Sequence, residues 1–395
     1  MKKVTALSLP NGWEIKKLSE VAEYFNGLTY SPKDVGDQGT IVLRSSNIQN
    51  DELDFSDIVR VCSNVKEKLF VKDGDILMCS RNGSQRLVGK TASILNLKEP
   101  MTFGTFMMII RSEFSSYLLW FFKTDKFKKQ ISGGENTMIN QVTRYMLDEI
   151  EIPLPPLAEQ QRIVAILDEA FAVIAKAKAN SEQNLKNAKE LFVSVKSEIF
   201  LRLENTLVKL PIATVCNEIF AGGDAPKENY SDEKTEKYTI PIIANAVKKN
   251  GLYGYTDISR VNEPSITIAA RGSGTGHTEI RFEPFFPIVR LIVLTPNKEK
   301  ITLEFLKYSV QNLDILSNGS AIPQLTIPMI KEYSIALPTL EQQQTIVQKL
   351  DAISLETKRL EVIYQQKIND LEELKKSVLQ KAFSGELKTK EAVTV

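Results

Sequence analysis

Apolar residues recur at spacings of four and three from Ile163 through Leu167, Ala170, Ile174 and Ala177, and again at Ala188, Leu191 and Val195. Polar Ser181 and Asn184 interrupt this series. A second series runs Ile346, Leu350, Ile353, Leu360, Tyr364, Leu371, Leu374 and Val378, interrupted at Thr357 and Lys367. Such spacing predicts long helices that bury a heptad seam. Each covers roughly 40 residues, or about 60 Å at 1.5 Å per residue. Both follow an alternating stretch that ends in proline, "EIEIPLPP" and "YSIALPT", which predicts a strand running into a helix start. Thr339 and Gln342 stand in capping-box register, and Pro156 takes the equivalent first-copy place, where a missing N–H costs nothing. Gly385 supplies a stop for the second helix.

The two segments are copies of one another. Residues 139–168 align with 322–351 at a constant offset of 183, and about half of the paired positions are identical, among them Gln141/Gln324, Thr143/Thr326, Gln160/Gln343 and Asp168/Asp351. The same offset carries Leu191/Leu374, Val195/Val378 and Phe200/Phe383, so no insertion separates the copies. Upstream the likeness loosens: "LSEVAEYF" matches "IATVCNEI" at an offset of 194, and "CSRNGS" matches "AARGSG" at 190. The chain therefore divides into a module at 1–150, a helix segment at 151–203, a second module at 204–333 and a second helix segment at 334–395.

Short β-like runs ("TIVLRSSNI", "GDILMCS", "YTIPIIANAV", "SITIAA") and one helical stretch in each module, "SSYLLWFFKTDKFKKQI" and "LEFLKYSVQNLDIL", make both modules α+β. The expected fold class is thus α+β, with two α+β modules separated by two long helices that pair antiparallel as a coiled coil in a pseudo-two-fold internal repeat. Helices of matched length can act as a ruler between the modules.

Composition narrows the class further. A length of 395 residues with 43% hydrophobic and 25% charged content describes a folded protein of more than one domain. No apolar run reaches the roughly 20 residues of a membrane span, and the expected location is cytoplasmic. Cys62, Cys79 and Cys216 are odd in number and form no CxxC pair, which argues against disulfides and zinc. A net charge of +1 means that any basic surface is local.

Both modules place an Arg-small-polar turn after an apolar strand, Arg81-Asn82-Gly83-Ser84 and Arg271-Gly272-Ser273-Gly274. Such a turn offers backbone N–H groups and a guanidinium to a phosphate or a base edge. Arg44, Ser45 and Asn47 in the first module, and Asn245, Lys248, Asn250 and Tyr253 in the corresponding region of the second, are further candidates with forked donors and acceptors. Lys123, Lys126, Lys128 and Lys129 line a helical stretch and read as a solvated face able to serve phosphates.

Catalytic chemistry is absent from the pattern. The single histidine, His277, excludes a multi-histidine metal site, and no catalytic or metal-ligating set can be assembled. "GSQRLVGKT" (83–91) departs from a phosphate-binding loop because its glycines are one residue too far apart. The Asn-Pro-Pro-aromatic motif of the amino-methyltransferases is missing. The pattern is that of a reader.

A variable module, "IPLPPLAEQQRIVAILD" with its long helix, a second variable module, and "IALPTLEQQQTIVQKLD" closing in "LQKAFSGEL" together resemble the specificity subunit of type I restriction-modification systems, over essentially the whole chain. Gln342 stands where the first copy has Glu159, with Glu341 just before it. The resemblance implies that the modules are target recognition domains, each reading half of a bipartite, asymmetric site in double-stranded DNA, with the helices setting the unread spacer. It also implies partners: two methyltransferase (modification) subunits carrying S-adenosylmethionine, and restriction/translocase subunits using ATP and Mg, with no cofactor bound by this chain and no membrane involved. The helix starts, Glu159, Gln160 and Gln161 with Gln342, Gln343 and Gln344, are the candidate docking residues. The alternative from another class is a coiled-coil adaptor presenting two protein-binding heads.

Overall fold

The computed structural model describes residues 9–132, 141–272, 274–313 and 324–387. The chain forms two compact units. The first comprises residues 1–181 together with 366–395, and the second residues 182–365.

In the first unit, strands Glu23–Asn26, Met107–Arg111, Ile76–Cys79 and Thr91–Ser93 form an antiparallel sheet in that order. A second sheet holds Met101–Phe103, Thr40–Leu43, Arg60–Val61 and Val35–Gly36, its first pair parallel. "ILMC" reads as an unbroken apolar run because its strand is covered on both faces. Ile76 and Met78 enter one core with Tyr117, Phe121 and Leu167, while Leu77 and Cys79 enter another with Ile41, Leu43 and Phe103. The second unit repeats this plan: Cys216–Ala221, Leu291–Pro296, Ser265–Ala269 and Thr278–Arg281 in one sheet, and Tyr230–Ser231, Leu252–Thr256, Ile240–Ile243 and Phe286–Pro287 in the other, again with one parallel pair. The small ladder Glu14–Lys17 with Glu151–Leu154 recurs as Lys209–Pro211 with Ser334–Ala336. Even the N–H bonds that follow these ladders match, Leu18 to the Ile150 carbonyl at 2.8 Å and Ile212 to that of Tyr333 at 2.8 Å.

The long helices run Leu157–Thr206 and Leu340–Ser384, 50 and 45 residues. They exceed the expected 40 because neither contains glycine or proline. Both begin at the same repeat position. At the second start Thr339 N–H donates to Gln342 Oε1 at 3.1 Å, and Gln342 N–H donates to Thr339 Oγ1 at 3.4 Å, the reciprocal box read from the sequence. Thr339→Ala should cost about 1 kcal/mol of helix stability, visible as a lower denaturation midpoint, with no change in ligand preference. The second helix ends at Gly385, at φ +77°, where a Cβ would come within 2.0 Å of Pro10 Cγ.

The buried seam follows most of the predicted positions and departs from them at definable places. Ile163, Leu167, Ala170, Ile174 and Ala188 are buried, as are Leu350, Leu371 and Val378. Leu191, however, is 46% exposed, and Phe192 packs inward in its place. The seam continues Ser181, Leu185, Ala188, Phe192, so Leu185 holds the place assigned to Asn184. An α-helix turns every 3.6 residues, so a strict 4,3 count drifts off the packed face. The polar interruptions are accommodated locally: Ser181 Oγ donates to the Ala177 carbonyl at 2.8 Å and Thr357 Oγ1 to that of Ile353 at 2.9 Å.

Within the first unit the two helix segments are antiparallel, since Lys178 Nζ meets Glu372 Oε1 at 2.6 Å while Arg162 Nη2 reaches the Leu387 carbonyl at 3.1 Å. The Lys178 hydrogen bond holds the Glu372 carboxyl below its ordinary value. The helix expected over "SSYLLWFFKTDKFKKQI" is two helices, Ser115–Phe121 and Asp125–Ser132. Thr124 makes the break, its Oγ1 accepting from Phe127 N–H at 3.1 Å as a cap for the second.

Candidate nucleic-acid interface

Three loops meet in each unit, and they are the same three. The Arg81 turn leaves strand Ile76–Cys79 and forms an antiparallel bridge with Gln141; Arg271 leaves Ser265–Ala269 and bridges Gln324. Val142 N–H donates to the Ser80 carbonyl at 2.7 Å, and Leu325 N–H to that of Ala270 at 2.8 Å. Past each glutamine a short helix starts on a capping threonine, Thr143 accepting from Met146 N–H and Thr326 from Met329 N–H. Gln141 and Gln324, not singled out as site residues in the sequence, are both exposed beside an exposed arginine. Their recurrence at the head of the 183-residue offset was the signal available.

The third loop follows strands Thr40–Leu43 and Ile240–Ile243. In the first unit Asn82 Nδ2 donates to Ser45 Oγ at 3.1 Å. Asn82 Oδ1 accepts from Ser84 N–H at 2.9 Å, closing an Asx turn. In the second unit Asn245 holds the arginine turn itself: its Oδ1 accepts from Ala270 N–H at 2.5 Å and Arg271 N–H at 3.3 Å, and its Nδ2 donates to the Arg271 carbonyl at 2.8 Å. Asn245 is a brace. Asn47 is another: it is 1% exposed, and its amide donates to the Asp54 and Asp57 carbonyls at 2.9 Å each. Arg44 gives Nη2 to Asp57 Oδ2 at 2.6 Å, leaving it less free than Arg81.

What stays presented differs between the units. Arg81 lies 5.6 Å from the centroid of Phe106, a ring that is 56% exposed and offers a stacking face. Tyr145, four residues beyond Gln141, is 84% exposed. In the second unit Lys249 and Asn250 both adopt left-handed backbone, φ +50° and +52°. Arg281 supports that loop by giving Nη2 to the Asn250 carbonyl at 2.6 Å and Nε to Thr267 Oγ1 at 3.2 Å. Lys248 is exposed, and Tyr253 stands half-exposed against Tyr230, ring centroids 5.7 Å apart. The Tyr230 hydroxyl, hydrogen-bonded to Asp232, is pushed up to about 12. Ser273 lies outside the described residues. Gly272, at φ +91°, needs its missing side chain for the turn to form.

The candidate docking residues divide as well. Gln160 and Gln343 are 4% and 0% exposed, their Nε2 groups donating to the Pro155 and Pro338 carbonyls at 2.8 and 2.9 Å. Gln343 Oε1 also accepts from Thr302 N–H at 2.8 Å, so Gln343 ties its helix start to the second unit, while Gln160 closes the turn that leads into the first helix. Glu159 pairs with Arg162 at 2.7 Å and Gln342 completes the capping box, which leaves Gln161 and Gln344 exposed and uncommitted.

The family described as the type I restriction modification DNA specificity domain matches residues 10–187 and 211–373. Over 189 residues the chain is 34% identical to the specificity subunit of the type I restriction enzyme EcoKI of Escherichia coli (strain K12), a match covering 46% of this chain and 40% of that one. It is 27% identical over 420 residues to the StySPI specificity subunit of Salmonella potsdam, covering 96% and 90%. The chain spans about half the length of the EcoKI subunit and of two putative type I specificity subunits of Mycoplasma pneumoniae, at 40%, 63% and 58%. The crystal structure of the HsdS subunit from Thermoanaerobacter tengcongensis shares the fold, with a TM-score of 0.65 at 20% identity over 96% of this chain and 98% of that one.

Proposed function

The chain belongs to the family of the type I restriction modification DNA specificity domain, and from that premise we propose that it selects the DNA sequence on which a type I restriction-modification complex acts. Each unit is a target recognition domain that reads one half of a bipartite, asymmetric site, and the long helices set the gap between the halves. The observation that carries this reading is the recurrence of one three-loop cluster, arginine turn, post-strand loop and exposed glutamine, in two units whose other loops differ. A repeated scaffold with unlike contacts, Phe106 and Tyr145 in one and Lys248 and Tyr253 in the other, suits two different half-sites.

Catalysis lies with partners in this reading. Two modification subunits dock on the helices, where Gln161 and Gln344 are exposed, and carry S-adenosylmethionine and the methyl-transfer site. Restriction subunits add ATP- and Mg-dependent translocation. The complex works in the cytoplasm; among the described residues no helix is long and apolar enough to cross a membrane.

The test is to co-express the chain with its candidate modification subunit and map methylated adenines across the host genome. A bipartite motif with one constant gap is expected. A stable complex that adds no methylation would overturn the reading and favour the adaptor.

A further inference from the structure

Inside the first unit lies a cavity of about 910 Å³, walled by the link 122–124 and the helix Asp125–Ser132 that follows it, the segment 86–91, and the last turns of the second long helix. Eight cationic side chains line it against three carboxylates, an excess of five positive charges in a chain whose net charge is +1. Two of the carboxylates are engaged with cations of the rim, Asp51 with Lys123 at 3.1 Å and Asp125 with Lys128 at 3.8 Å. The third, Glu372, is shared between Lys178, from outside the cavity, at 2.6 Å and Lys375 at 3.8 Å, and Lys376 pairs with Glu373 at 2.8 Å on the exposed side of the helix, so the three lining carboxylates still leave the cations in excess. The segment 83–91, with the cation-rich look of a phosphate loop and the wrong glycine spacing, enters strand Thr91–Ser93 instead of a helix and contributes Lys90 to this wall.

Several of the lining cations are not repeated at the matching places of the second unit. Trp120 Nε1 donates to Asp168 Oδ1, and Tyr308 donates to Asp351 Oδ1, so the two tethers are counterparts whose aspartates stand at the 183-residue offset and whose ring donors are 188 residues apart. Three residues past the tether stands Lys123 in one unit and Gln311 in the other. Lys375 and Lys376 correspond to Phe192 and Val193. Among the described residues these cations are thus particular to the first unit.

Two observations favour nucleic acid as the occupant. The groove is continuous with the candidate reading cluster, because residues 84–90 lead directly from the Arg81 turn into its wall and Asp51 on its rim follows the Ser45–Asn47 loop. Its cations are mostly lysines, which serve phosphates as point charges and carry no base information. Resting on the DNA reading proposed above, we infer that this groove grips the phosphate backbone of DNA flanking the first unit's half-site, as a sequence-independent anchor that the second unit lacks.

The experiment compares the full chain, co-expressed with its modification subunits, with a Lys126→Gln, Lys129→Gln, Lys376→Gln variant. All three positions are exposed, so folding is retained. Binding is measured against salt on nonspecific duplex and on target duplex truncated at either end. The slope of log affinity against log salt should be shallower by about three for the variant, with half-site preferences unchanged. Cutting the duplex flush with the first half-site should erase the difference; cutting it at the second should not. An unchanged slope overturns the groove, as does an unchanged slope accompanied by loss of the modification subunits on gel filtration, which would assign it to a protein. Because nonspecific duplex needs no motif, a wild-type complex that shows no preferred sequence would sink the specificity reading while the slope still decides the groove.

Discussion

Replacing Arg271 with alanine is expected to relax one half of the recognised sequence and leave the other intact. Its backbone is fixed twice, by the Asn245 amide and by the bridge to Gln324, while its side chain is exposed. With the backbone of the turn already fixed, binding has only the side chain left to order, and a preorganised turn of this kind favours a bidentate base contact. Its loss should weaken target binding by about 1–3 kcal/mol, roughly 5- to 150-fold, with degeneracy confined to one or two bases of one half-site. Arg81→Ala should do the same to the other half, and Asn245→Ala should reproduce part of the Arg271 effect by freeing the turn. Methylation mapping of each variant reads this directly. Equal weakening of both halves by Arg271→Ala, or of neither, would remove the arginine from the reading surface.

The repeat made much of this architecture legible beforehand. A constant offset of 183 can be counted without knowing any contact, and it located both helix starts and both proline-ended strands. Departures came where one residue type serves two purposes. Asn47 and Asn245 have the donors and acceptors of a base reader, but a polar amide behind a strand is also the cheapest means of satisfying loop backbone, and the structure uses both that way. Gln160 and Gln343 sit at helix starts rich in polar residues, yet the helical turn points them inward while their neighbours Gln161 and Gln344 point out. The basic groove was only half visible, through Lys123, Lys126, Lys128 and Lys129, for another reason. Lys375 and Lys376 stand about 250 residues of sequence from those four, and a balanced overall charge conceals a cluster completed only by folding.

Inserting four residues into each long helix, at 181/182 and at 365/366 where the two units divide, should change the target itself. Four residues add about 6 Å and, after a full turn, about 40° of rotation. A DNA base pair adds about 3.4 Å and roughly 35°, so the insertion approaches two base pairs in length and one in rotation. The half-sites should stay the same and the gap should grow by one or two base pairs. Two residues in each helix would add about 3 Å, close to one base pair in length, but about 200° of rotation, which no small change of spacer matches; that variant should lose methylation altogether. The contrast matters more than either result alone, because length and rotation are changed in different proportions. A variant with four added residues that still methylates the original gap, or a two-residue variant that methylates as efficiently as the parent, would mean that the helices do not set the spacing and that some other element fixes the distance between the half-sites.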